Sequence, residues 1–112
     1  MNFMKKIMVL LFSIIFIIFF SLTVTAEDGK KVYDKKCASC HGKDGKGNAA
    51  MVKMLKVDIS LLDIVDKGTL GKSDDELVSV TTKGSNKMPA YGKELRDEEI
   101  NGVVSYIRSL AK

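Results

Sequence analysis

The pattern of apolar and polar positions predicts short helices separated by glycine-marked breaks. The clearest repeat lies near the C-terminus, where apolar residues recur every three or four positions at Ile100, Val103, Val104, Ile107 and Leu110. Acidic residues open this stretch and basic residues close it, as the helix dipole prefers. Strand signals are nearly absent along the chain, so the pattern predicts an all-α fold.

Two more helices are predicted from the residues that precede them. One follows Asp28, a favourable N-cap residue, and runs to about Ala38. The other follows Ser73, because a serine with a glutamate three positions later, Glu76, forms a capping box. Gly84 is expected to end that helix.

The segments between these helices are less regular. Residues 42–48 contain three glycines and are predicted to form a loop. Residues 49–56 form a short helical candidate, and 59–65 are expected to add another short helical turn. Residues 85–95 hold the only proline of the chain and are predicted to be a loop. In the short helix predicted over residues 49–56, the side chains expected to face inward are Met51, Met54 and Leu55.

The N-terminal segment has the organisation of an export signal. Two lysines are followed by an uncharged, mostly apolar run over residues 7–20, and Val24 and Ala26 are small residues placed as a signal peptidase requires. This pattern predicts a signal peptide over 1–26 and one folded domain over 27–112.

An uncleaved membrane anchor is the alternative for the same segment. The stretch before Glu27 carries no charge for 20 residues, and a membrane-spanning helix needs about 20 apolar residues. In that case residues 7–26 would contact the membrane.

Charge argues against a nucleic-acid partner. The whole chain has a net charge of +4, but without residues 1–26 the balance is 16 basic against 14 acidic residues. The charges are interleaved, whereas nucleic-acid binding requires a concentrated basic patch.

A domain of the size of residues 27–112 buries a modest core and often needs a covalent or metal staple.

The candidate chemistry lies in Cys37-Ala38-Ser39-Cys40-His41, a C-x-x-C-H sequence typical of covalent haem attachment. Thiols three positions apart on a helix face the same side, where they could form thioethers with the two vinyl groups of one haem. His41 follows directly and could present an imidazole to the iron. Buried, unreacted thiols beside an incidental histidine are the structural alternative.

Other uses of these residues have less support. Cys37, Cys40 and His41 are all the cysteine and histidine that the chain contains. Structural zinc usually needs four such ligands, and iron–sulfur clusters normally need four cysteines. A thioredoxin-like dithiol would require a βαβ pattern, which is missing.

A methionine is the expected second axial ligand, because no second histidine is present and methionine is the usual alternative in cytochromes c. Met51 and Met54 follow the motif too closely and are predicted to pack in the core. Met88 lies 47 residues beyond His41 and beside Pro89, which stiffens its loop. Met88 is therefore the predicted ligand.

Together these residues resemble the class I c-type cytochromes, and most closely the small bacterial monohaem carriers. The resemblance implies several short helices wrapped around one covalent haem c, with the first and last helices of residues 27–112 crossing at close range. It also implies that Gly29 permits that contact. The matching motifs are, in order, Gly29-x-x-x-Tyr33, Cys37-Ala-Ser-Cys40-His41, Gly42-Lys-Asp-Gly45-Lys-Gly47-Asn48, Lys87-Met88-Pro89-Ala90-Tyr91 and Val103-Val-Ser-Tyr106-Ile-Arg-Ser-Leu110.

Two positions depart from the family pattern. The family usually has a proline after the glycine loop, whose carbonyl accepts a hydrogen bond from the haem histidine. Ala49 and Ala50 stand there instead. A backbone carbonyl can still accept the hydrogen bond, but the loop should be less rigid, and the sequence leaves open which carbonyl is the acceptor. The family also favours serine or threonine before its last helix, where this chain has Arg96, so Asp97 is expected to cap one residue later.

The resemblance implies a periplasmic, monomeric one-electron carrier without enzymatic activity that shuttles between redox partner proteins. The axial ligands would be His41 and Met88. Lys43, Lys46 and Lys87 could surround the haem edge and attract an acidic partner, or they could simply confer solubility. One alternative is a haem c subunit or tethered relay of a membrane oxidase or reductase. Another is a gas sensor or peroxidase, which would require iron without a methionine ligand.

Overall fold

The computed structural model describes residues 2–19 and 26–112. Within these residues the regular structure is helical, apart from one isolated bridge between Ser85 and Met88. This confirms the predicted all-α fold. The helices are α1 (Asn2–Phe19), α2 (Ala26–Lys36), α3 (Ala38–His41), α4 (Ala49–Leu55), a 3-10 helix (Ile59–Leu61), α5 (Lys67–Leu70), α6 (Asp74–Lys83) and α7 (Asp97–Leu110).

Helix α1 covers most of the apolar N-terminal segment. None of the described helices combines the length and the apolar character that crossing a membrane requires. Residues 20–25, which include most of the polar end of the predicted signal peptide, lie outside the described residues.

The core is centred on the crossing of α2 and α7. A Cβ atom on Gly29 would lie 2.1 Å from the carbonyl oxygen of Gly102, so only glycine allows the two backbones to approach this closely. One helical turn after Gly29, Tyr33 is fully buried against Val103, and its ring centroid lies 5.2 Å from that of Tyr106. The close helix contact implied by the resemblance is present.

The boundaries of α2 differ from the prediction. The helix begins at Ala26 and ends at Lys36, so Asp28 lies in its first turn and is not the N-cap. Helix propensity accounts for the earlier start, because alanine and glutamate are good helix formers and an acidic side chain suits the first turn. Cys37 separates α2 from α3, with φ of −116° and ψ of −38°.

The short helices agree with the prediction only in part. Helix α4 lies where expected, but Met54 is 74% exposed, so its predicted packing in the core is wrong. Met51 and Leu55 are four residues apart and share the half-buried face of α4. A helix of two turns covers only a narrow strip of the core, which leaves Met54 outside it.

Two aspartates cap helices between α4 and α6. Asp58 accepts a hydrogen bond from the Ser60 amide at 2.9 Å and begins the 3-10 helix, which is shorter than the predicted turn over 59–65. Asp66 accepts one from the Thr69 amide at 2.8 Å and begins α5, which the sequence analysis missed. The Ser60 amide lowers the pKa of Asp58, and the side chain of Thr69 together with its amide lowers the pKa of Asp66. The capping preference of aspartate was the available signal.

The last two long helices begin in different ways. As predicted, Ser73 caps α6 by accepting from the Glu76 amide at 3.2 Å. At the start of α7, Asp97 does not act as the cap. The Glu99 carboxylate reaches back and accepts from the Arg96 amide at 3.1 Å, and this hydrogen bond lowers the pKa of Glu99. This contact pairs the Arg96 amide although no short polar side chain precedes the helix.

Candidate haem-binding site

All four predicted site residues line one cavity of about 330 Å³. Cys37, Cys40 and His41 come from α3 and the residue before it, and Met88 comes from the loop after α6. The rest of the wall is largely apolar and comes from helices and loops distant in sequence. Its larger apolar members include Leu55, Leu62, Ile64, Leu77, Val103 and Ile107.

The two cysteines are free thiols at the wall of this cavity. Cys37 is only 8% exposed, while Cys40 is half-buried. Burial raises the pKa of Cys37 to about 11, and its neighbour Cys40 adds to the effect. Redox-active C-x-x-C pairs depend on a lowered thiol pKa. Cys37 thus lacks the lowered pKa of such a reactive thiol.

The imidazole of His41 is oriented by a single backbone contact. Its Nδ1–H donates to the carbonyl oxygen of Leu62 at 2.8 Å. The carbonyl of Leu62 is therefore the acceptor that the sequence left open. Metal-binding histidines typically donate their second ring nitrogen to such a carbonyl, which fixes the tautomer and the ring orientation. Nε2 remains as the atom available to a metal.

The glycine loop over residues 42–48, which is present as predicted, returns the chain to its starting point. The Gly47 amide donates to the His41 carbonyl at 2.7 Å, and the Tyr33 hydroxyl donates to the Gly42 carbonyl at 2.6 Å. Gly47 has φ of +101°, and a Cβ atom there would lie 3.1 Å from that of Leu62. The loop can therefore pass close to the segment that carries the His41 acceptor.

The loop over residues 84–92, called the Met88 loop below, reverses the direction of the chain tightly. The Ser85 amide donates to the Met88 carbonyl at 3.1 Å, and the Met88 amide donates to the Ser85 carbonyl at 2.9 Å. Gly84 enters the reversal with φ of +75°, and a Cβ atom there would lie 2.7 Å from the Met88 carbonyl oxygen. Met88 itself is half-buried at the cavity wall.

The lysines at the cavity differ from those that the sequence indicated. Lys87 lines the cavity, together with Lys36 and Lys72, whereas Lys43 and Lys46 are exposed in the glycine loop and do not line it. The Lys87 ammonium donates to the carbonyl of Leu55 at the end of α4. Part of the positive charge near the cavity therefore serves local structure.

Arg108 holds the segment between α5 and α6 against α7. Its guanidinium donates to the carboxylate of Asp74 at 2.6 Å, to the carbonyl of Lys72 at 2.7 Å and to that of Leu70 at 3.1 Å. Lys72 and Thr69, which lie in or beside this segment, both line the cavity. Arg108 thereby positions one wall of the site, a role that the sequence analysis did not identify.

The cavity suits a flat apolar group attached through two thiols and bound axially by an imidazole. An all-helical fold around such a site defines a small cytochrome of the c type. A sequence model of the family described as cytochrome c oxidase, cbb3-type, subunit III matches residues 24–107.

Comparison with the sequences of individual proteins supports the same class of protein. The chain is 36% identical over 112 residues to cytochrome c6 of Pyropia yezoensis, a match that covers 95% of this chain and 94% of the relative. It is 34% identical over 87 residues to the cbb3-type oxidase subunit CcoP of Azospirillum brasilense, which covers 76% of this chain and 28% of that subunit.

Two solved structures resemble the fold. One is the KustC0563 c-type cytochrome, with a TM-score of 0.63, 25% identity, and coverage of 76% of this chain and 99% of that one. The other is cytochrome c6 of the diatom Phaeodactylum tricornutum, with a TM-score of 0.58, 25% identity, and coverage of 78% and 94%.

The chain belongs to the class I c-type cytochromes. It accordingly carries covalently bound haem c and transfers electrons to and from redox partner proteins. The two free thiols, the oriented imidazole and the apolar wall of the cavity fit this cofactor.

Proposed function

We propose that this chain is an exported one-electron carrier, with haem attached through Cys37 and Cys40 and with His41 and Met88 as the axial ligands. The observation that supports this proposal is that all four residues line the same largely apolar cavity. When bound, haem c supplies a one-electron redox centre, and the protein supplies its ligands and its surroundings.

Each side chain has a distinct role in the proposal. The Leu62 carbonyl holds the His41 ring so that Nε2 is directed to the metal and the imidazole becomes a stronger donor. The thioether sulfur of Met88 raises the reduction potential. With both axial positions filled, no position remains for a substrate, so the chain acts as a carrier without catalytic activity.

Absorption spectra of the purified protein in both oxidation states test this proposal. We expect the bands of a thioether-linked haem, a weak far-red band in the oxidised form from sulfur ligation, and slow carbon monoxide binding by the reduced form. Rapid carbon monoxide binding without the far-red band would contradict methionine ligation and favour a gas sensor or a peroxidase.

We also propose that residues 1–26 are a signal peptide and that residues 27–112 act as a monomer in the periplasm. Two lysines followed by the uncharged, mostly apolar run over residues 7–20 support export. Mass spectrometry of the protein from its native host tests the cleavage, with an N-terminus at Glu27 as the expected result. A species that still begins at Met1 would instead support a membrane tether.

A haem c subunit or tethered relay of a membrane oxidase is the second candidate. It is favoured by the match to the cbb3-type family model and to CcoP, although the chain spans only 28% of that subunit. Co-purification with a membrane complex after mild detergent extraction would support it. Recovery of the cytochrome alone in the periplasmic fraction would support the free carrier.

A further inference from the structure

One hydrogen bond joins the haem-attachment segment to the Met88 loop across 55 residues of sequence. The Tyr91 hydroxyl donates to the main-chain carbonyl of Lys36 at 3.0 Å. Lys36 immediately precedes Cys37, and Tyr91 follows Met88 by three residues. Both Lys36 and Tyr91 also line the cavity.

The acceptor is a carbonyl that the helix itself leaves unused. Lys36 ends α2, and the amide of Cys40, which would be its helical partner, donates to the Cys37 carbonyl at 3.2 Å instead. The last carbonyls of a helix need partners from outside the helix. A tyrosine hydroxyl ordinarily has a pKa of about 10, and burial raises the pKa of Tyr91 further. The hydroxyl is therefore protonated at neutral pH and available as the donor.

The other end of this connection is anchored as well. The Tyr91 amide donates to the Thr81 carbonyl at 3.0 Å, and the Gly92 amide donates to the Thr82 carbonyl at 3.1 Å, which attaches the end of the Met88 loop to α6. The Tyr91 side chain therefore extends from a fixed backbone. An ion pair between Lys36 and Glu94 spans the same junction at 3.4 Å, but both side chains are about half exposed, so it contributes little.

We propose that Tyr91 is a positioning residue that keeps Met88 at the iron by tying its loop to the carbonyl before Cys37. This inference rests on the proposed ligation by His41 and Met88. Without the hydroxyl, the loop would separate more often from the haem-attachment segment. An external ligand can capture the iron only while Met88 is away from it, so apparent ligand affinity reports the population of that open state.

The test compares Tyr91→Phe with Tyr33→Phe, both as haem-loaded proteins. Each change removes one hydroxyl that donates to a backbone carbonyl, because Tyr33 donates to Gly42 at 2.6 Å, but only Tyr91 is connected to the Met88 loop. We expect Tyr91→Phe to raise the affinity of the oxidised protein for imidazole by about two- to tenfold, the range that one ordinary hydrogen bond represents. Tyr33→Phe should lower the melting temperature and leave imidazole affinity unchanged.

A third variant, Glu94→Gln, separates the hydroxyl from the ion pair and should bind imidazole as the unmodified protein does. The proposal is overturned if Tyr91→Phe leaves imidazole affinity unchanged, or if Tyr33→Phe raises it equally. Absence of the far-red band from the unmodified protein would overturn methionine ligation and the positioning role together. A normal band with an unaffected Tyr91→Phe variant would overturn the positioning role alone.

Discussion

Met88→Ala is expected to lower the reduction potential by at least about 0.1 V, a modest part of the range of about 0.8 V over which axial ligands set haem potentials. The physical reason is the loss of the thioether, which favours the reduced iron. The far-red band of the oxidised protein should disappear, and the reduced protein should bind carbon monoxide rapidly. Redox titration, absorption spectroscopy and stopped-flow mixing measure these three effects.

Two further variants separate the loss of a ligand from the loss of packing. Met88→Leu retains a similar apolar volume but offers no sulfur, so it should behave as Met88→Ala does. Met54→Ala removes a methionine that is 74% exposed and should change neither the spectrum nor the potential. An unchanged spectrum and potential in Met88→Ala would refute the assignment of Met88 as the second axial ligand. A loss of the far-red band in Met54→Ala would assign that ligand to Met54 instead.

Gly29→Leu is expected to have the largest effect on stability. Even the Cβ atom would lie 2.1 Å from the Gly102 carbonyl oxygen and 2.5 Å from its carbonyl carbon. Since backbone atoms cannot move aside as a flexible side chain can, α2 and α7 must separate. Overpacking of this kind costs about 3 kcal/mol or more, which lowers the melting temperature of a domain of this size by roughly 10–20 °C.

The matched control is Gly68→Leu in α5. A Cβ atom at Gly68 meets nothing closer than the Asp66 carboxylate at 3.8 Å, so this leucine should leave the melting temperature nearly unchanged. Thermal unfolding followed by circular dichroism compares the two variants. Equal melting temperatures for Gly29→Leu and the unmodified protein would show that the two helices do not meet at this point.

Local features were predicted well because their causes lie within a few residues. The amphipathic stripe of α7 and the Ser73 cap of α6 depend on short-range spacing, and both are present. Aspartate caps are equally local, yet α5 was missed because a four-residue helix has no periodic apolar face. Met54 was misplaced because exposure depends on what packs over α4, which the spacing of its apolar residues does not reveal.

Contacts between distant segments could not be predicted in this way. The sequence left the His41 acceptor open, and it lies 21 residues along the chain at Leu62. The Tyr91 hydroxyl reaches a carbonyl 55 residues away. Any residue has a backbone carbonyl, so no side-chain pattern marks the one that becomes an acceptor.

The sequence by itself determined the chemistry of this cytochrome, because the spacing of Cys37, Cys40 and His41 is a covalent property of five consecutive residues. These three residues are all the cysteine and histidine in the chain, so methionine remained as the candidate for the second ligand. The tertiary structure decided how the site is held together, through the contacts of Leu62, Tyr91 and Arg108. Those contacts exist only after the helices have packed, since packing brings unpaired backbone carbonyls within reach of distant donors.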